Sequence, residues 1–159
     1  MKIQELKNLV QEIVAESRRL SAAHTSEHQA PVNYACVFTQ STSEYEEMLK
    51  VARQLGSVVQ NTAMGPVFHI TPLSTMAGVL RLLKIRRPDP KRPERGYADF
   101  TVADYGKFKK TYLGRPGFSI IKRAGMEMIE LTDPSYNAIT YYSHPTLATI
   151  LRLDIGQHK

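Results

Sequence analysis

The stretch GYADFTVADYGKFKKTYLG, residues 96–114, changes its period half-way along. In YADFTV, residues 97–102, apolar and polar side chains alternate, as they do in a strand with one face on a core. Ala98, Phe100 and Val102 would pack against helices, and Tyr97, Asp99 and Thr101 would face the other way. DYGKFKKTYL, residues 104–113, then reads as a helix capped by Asp104 and stopped by Gly114. Three more β-rich runs follow at 118–122, 126–131 and 138–142, separated by Gly125 and by the turn DPSYN.

The same order occurs upstream. VNYACVFT, residues 32–39, predicts a strand after Pro31. SEYEEMLKVARQLG predicts a helix whose capping box is Ser43 with Glu46, whose apolar stripe is Tyr45, Met48, Leu49, Ala52 and Leu55, and whose stop is Gly56. SVVQNT, PVFHITPL and VLRLLKI predict three strands, broken at Gly65-Pro66 and Met76-Ala77-Gly78. Both first strands contain Tyr-Ala (Tyr34-Ala35 and Tyr97-Ala98) and both helices end in Leu-Gly, at an offset of about 60 residues. An amphipathic helix over 3–20 precedes the first unit, with Ile3, Leu6, Val10, Ile13, Val14 and Leu20 on one stripe. The expectation is an α+β fold in which two tandem βαβββ units form a paired, cup-like mixed sheet behind an N-terminal amphipathic helix. The divisions are 1–31 for helix and connector, 32–85 for the first unit, 86–96 for a linker, 97–145 for the second unit and 146–159 for a tail.

Composition sets outer limits. The 159 residues suffice for a sizeable core, and a single cysteine, Cys36, excludes an intrachain disulfide and a cysteine-based zinc cluster. Cys36 alternates with inward residues and reads as a small core side chain. No apolar run approaches membrane-spanning length, and charges interrupt the first twenty residues, so no membrane partner is expected and a cytoplasmic location is. The net charge is +6, and five of those charges lie in RLLKIRRPDPKRPER, residues 81–95, where seven basic residues face two acidic ones. That belt, with three prolines in 86–96, reads first as an extended, solvated linker. It also supports a site for a small anion at Arg81 and Lys84, or a nucleic-acid or acidic-partner surface. It contains no aromatic residue to stack on bases.

Alternation also selects a candidate site. His69 in PVFHITPL and Glu130 in MEMIEL face away from the helix side, as does Asp99. If the two units superpose with His69 opposite Glu130, these three side chains meet in one cup, with Arg81, Lys84, Tyr97 and Tyr141 as ligand-binding neighbours. A histidine and two carboxylates on a shared cavity can ligate a divalent metal, or one of them can act as a general base. The bland counterpart is a set of strand polar residues facing solvent or paired locally. His24 and His28 are spaced i, i+4 but lie in the polar HTSEH past the predicted helix, and read as surface residues. No phosphate-binding glycine loop and no G-x-S-x-G or H-E-x-x-H motif is present. The cofactor stays open, with a divalent metal as one candidate.

Two tandem βαβββ units, GYADFTVADYGKFKKTYLG as an opening strand and helix, and ELTDPSYNAITYYSHP as a closing turn and strand resemble the vicinal oxygen chelate superfamily over residues 32–145. That resemblance implies a ligand-binding cup and frequent pairing into homodimers. The superfamily's metal enzymes place His or Gln in each first strand and Glu in each last strand. Here Tyr34 and Tyr97 open the units, and Thr140 stands where the second Glu would be. The resemblance therefore implies a small-molecule-binding or enzymatic cup without the superfamily's usual ligand set, with nucleic-acid binding by residues 81–95 as the alternative.

Overall fold

The computed structural model describes residues 1–153. Helix α1, Ile3–His24, buries one stripe: Leu6, Val10, Ile13, Val14, Ser17, Leu20 and Ser21. It runs four residues beyond the predicted end at Leu20 because its last turns find polar anchors. Ser21 Oγ lies 2.6 Å from the Tyr142 hydroxyl, and His24 Nε2 lies 3.0 Å from Asp133 Oδ2. His24 is thus a hydrogen-bonding partner of Asp133 at the end of the helix.

The first unit comprises β1 (Val32–Phe38), α2 (Thr42–Leu55), β2 (Gly56–Thr62), β3 (Gly65–Thr75) and β4 (Gly78–Arg86). The second comprises β5 (Gly96–Phe100), α3 (Tyr105–Tyr112), β6 (Phe118–Arg123), β7 (Met126–Leu131) and β8 (Ile139–His144), with a short α4 (Leu147–Ile150) after it. The cap of α2 is Ser41 and not Ser43. Glu44 N–H donates to Ser41 Oγ at 3.1 Å, and Gln40 N–H donates to Glu44 Oε1 at 2.7 Å. STSEYEE offers two overlapping boxes, and the earlier one prevails because Glu44 also receives both arms of Arg95, each at 2.8 Å.

All eight strands form one mixed sheet in the order β2-β3-β4-β1-β5-β8-β7-β6. Each unit contributes four strands in mirrored order, and the units meet at the antiparallel pair β1–β5, with Ala35 opposite Ala98. Within each unit the first strand is parallel to the last. One sheet face, carrying Ala35, Val37, Phe68, Ile70, Ala98 and Phe100, packs under the helices. The other is concave and holds a second apolar cluster that includes Tyr34, Cys36, Phe38, Val67, Tyr97 and Tyr141. The face assignments made from alternation at 97–102, 67–70 and 128–131 all agree with this division.

The seam between units is tight. A Cβ on Gly96 would lie 2.1 Å from the Cys36 carbonyl oxygen and 2.9 Å from Ile13 Cδ1. Gly96→Ala is therefore expected to push β5 off β1 and to lower stability by about 2 kcal/mol, as overpacking does. Urea unfolding of the variant beside wild type measures this, and an unchanged midpoint would show that the seam yields freely.

Candidate ligand-binding cup

Register fixes which concave residues correspond. On β1, Cys36 pairs with Lys84 of β4, which pairs with Val67 of β3. On β5, Asp99 pairs with Tyr141 of β8, which pairs with Glu130 of β7. Under the symmetry of the two units, Cys36 matches Asp99, Lys84 matches Tyr141, and Val67 matches Glu130. The expected equivalence of His69 and Glu130 is corrected: His69 lies two residues beyond the matching position, paired with Ser57 and Leu82 toward the β2 side. It borders a shallow cleft with Arg53, Ser57 and Thr71.

Asp99, Glu130 and His69 consequently do not converge. Among the described residues no three His, Cys, Asp or Glu side chains are grouped to hold a metal ion. Each carboxylate has other partners. Glu130 Oε2 accepts from the Tyr141 hydroxyl at 2.6 Å and from Arg92 at 3.2 Å. Asp99 is fully buried, and it accepts from Ser143 Oγ at 2.5 Å and from Ser143 N–H at 3.4 Å. Burial raises the Asp99 pKa to about 7 against the pull of the Ser143 hydroxyl and amide. The donor set does not fit the divalent metal for which the sequence offers His69, Asp99 and Glu130 as candidates.

The tyrosines form the floor of the cup. The Tyr34 and Tyr97 hydroxyls lie 3.0 Å apart, and Tyr97 meets Tyr141 edge-on with ring centroids 4.4 Å apart. Burial pushes all three phenols up, so they are neutral hydrogen-bonding groups at physiological pH. Cys36 is completely buried among them, and burial pushes its thiol up to about 12, which makes it a core side chain and not a nucleophile.

Lys84 stands apart from these satisfied groups. It is half-buried on the concave face, and no carboxylate pairs with it among the described residues. Burial lowers its pKa, the Cys36 thiol opposes this, and the charges of Arg86 and Arg123 lower it further. Arg86 lies over the Phe38 ring at 4.8 Å and pairs with Asp89 at 3.1 Å. Arg81 sits where the β3–β4 register shifts between the His69 and Leu73 pairs, and it makes no ion pair among the described residues.

The segment 86–96 is not the solvated linker that its prolines suggest. Arg86, Arg92 and Arg95 are half-buried and bound to Asp89, Glu130 and Glu44. Backbone bonds from Arg87 N–H to Met64 O at 2.8 Å and from Arg95 N–H to Asn137 O at 3.0 Å pin it to both units. Three cations that a polyanion would need are thus already engaged. Sequence reasoning passed over Ser143, Arg92 and Arg123 as partners in the cup. Alternation along ITYYSH would have placed Ser143 beside Tyr141, whereas nothing local marks Arg92 or Arg123.

No protein-family model matches the chain, and no curated protein does. A solved structure does. The chain is similar to one named "Structural Genomics, Protein EC4020", with a TM-score of 0.73 at 11% identity over 94% of this chain and 91% of that one. At that identity the likeness shows the fold alone. Among the described residues no helix is long and apolar enough to cross a membrane.

Proposed function

We propose that this chain is a small-molecule-binding domain related to the vicinal oxygen chelate superfamily, whose concave cup takes an anionic ligand at Lys84 without a metal. The observation that carries the reading is the environment of Lys84. A half-buried ammonium with two guanidinium groups in its field and, among the described residues, no carboxylate of its own is an unfavourable arrangement until an anion arrives. The neutral hydroxyls of Tyr34 and Tyr97 supply further hydrogen-bonding groups on the same face. The symmetry of the strand order supports kinship through duplication, and a single, fully buried thiol accords with a reducing cytoplasm. Nucleic acid is the weaker reading, because Arg86, Arg92 and Arg95 are held by carboxylates.

A thermal-shift panel of small carboxylates and phosphates tests this. Wild type is expected to be stabilised by at least one anion class, and Lys84→Met to lose that shift. The ligand-free variant should itself be more stable by about 1–2 kcal/mol, since an apolar side chain replaces an unpaired, desolvated charge. Anions that stabilise Lys84→Met as much as wild type would place the site elsewhere.

A further inference from the structure

The concave face is covered by the chain's own end. Beyond β8, α4 turns back and packs on β1. Ala148, 7% exposed, joins the cluster of Tyr34, Cys36, Tyr97 and Tyr141, and Leu147, Leu151 and Leu153 pack against the same cluster. Among the described residues the segment is attached by apolar contact alone. Its hydrogen bonds are internal: Ile150 N–H to Thr146 O at 3.0 Å, Leu151 N–H to Leu147 O at 2.9 Å and Leu153 N–H to Ala148 O at 2.9 Å. Among the described residues none joins it to the sheet. A helix of four residues has no stability of its own, so only contact with the tyrosine floor holds it. Among the described residues the cup thus contains a cation without an anion, next to tyrosines and aliphatic side chains covered by leucines that carry no head group.

We infer that residues 147–153 are a displaceable strap that stands in for the apolar body of the cup's ligand, which is an organic anion with an aryl or alkyl body and a carboxylate or phosphate head. The head pairs with Lys84, and the body takes the place of Leu147, Leu151 and Leu153 over Tyr34 and Tyr97. This rests on the anion reading of the cup. A binding-competent state populated only when the strap is away weakens apparent affinity by the fraction open.

Three proteins test it: the full chain, the chain ending at Pro145, and the full chain with Leu151→Gln and Leu153→Gln, which loosens the strap without adding charge and keeps every element in place if truncation impairs folding. The probes are 4-phenylbutyrate and acetate, titrated calorimetrically at low salt. Alkylation of Cys36 by N-ethylmaleimide at mildly alkaline pH provides a readout that needs no ligand, because that thiol is 0% exposed beneath the strap's cluster. The expected result is 4-phenylbutyrate binding about tenfold tighter to both altered chains, corresponding to a strap open about a tenth of the time, with acetate much weaker in all three. Cys36 alkylation should rise by a similar factor. Equal alkylation rates and equal 4-phenylbutyrate affinities in all three proteins would overturn the strap while leaving the anion site standing. Faster alkylation with no anion bound by any of the three would overturn the anion reading and the ligand class with it. Acetate and 4-phenylbutyrate binding equally would overturn the apolar body.

Discussion

Ser17→Ala is expected to lower the stability of the folded chain by about 3 kcal/mol, although it removes a single oxygen. Ser17 sits on the buried stripe of α1 and is 0% exposed. Its hydroxyl accepts the Ala98 N–H at 3.0 Å and donates to the Ile139 carbonyl at 2.6 Å, so it bridges β5 and β8 from above. Alanine would leave a buried backbone donor and a buried acceptor without partners, each costing about 1–3 kcal/mol. Equilibrium urea unfolding followed by circular dichroism measures the change, and an unchanged slope with a lower midpoint would confirm that the effect lies in the folded state. A loss below about 1 kcal/mol would mean that α1 is not anchored through this hydroxyl.

Asp99→Asn has an effect whose sign depends on pH. Folding raises the Asp99 pKa from 3.8 to about 7 because burial disfavours the carboxylate. Below pH 4 both the folded and the unfolded chain carry the proton, and Asp99 costs nothing. Between about pH 4 and 7 the unfolded chain has released the proton while the folded chain still holds it, so stability falls as pH rises. Above pH 7 the fall is complete and amounts to about 4 kcal/mol at most. The groups facing Asp99 are the Ser143 hydroxyl and amide, the Tyr34 phenol on β1 and the Tyr105 phenol on α3, and both phenols stay neutral through this range. Asparagine keeps the Ser143 N–H bond at its Oδ1, donates from its Nδ2 to Ser143 Oγ in place of accepting there, and never ionises. Asp99→Asn is therefore expected to match wild type near pH 4 and to exceed it by several kcal/mol near pH 8. Parallel stability curves for the two proteins across that interval would show that Asp99 titrates normally.

The two sheet faces were legible because period-two alternation is a local property. Ala98, Phe100 and Val102 declare the helix side with no knowledge of partners. Strand order was legible at the level of a repeated element sequence. The site was not, because it depends on register. Val67, and not His69, is the β3 residue that pairs with Lys84 and so with Cys36 of β1, and that offset of two residues separates His69 from the match to Glu130. No composition rule fixes which residue of one strand stands opposite which residue of the next. Residues 86–96 misled for a different reason. Proline and charge describe a segment's intrinsic preference, whereas Arg92 and Arg95 are ordered by carboxylates 38 and 51 residues away in sequence. The strap was invisible because Leu147, Leu151 and Leu153 are unremarkable until the tyrosine floor beneath them is known.

The position of α1 also sets a clock. Ser17 is made early, yet its partners Ala98 and Ile139 lie 81 and 122 residues downstream. At about 5–20 residues per second, a ribosome takes roughly 6–24 seconds to supply the second of them. During that interval the apolar stripe of α1 has no β5–β8 seam to cover. A ribosome stalled before β8 would therefore hold a chain unable to complete its fold, with the Ser17 hydroxyl short of one of its two partners.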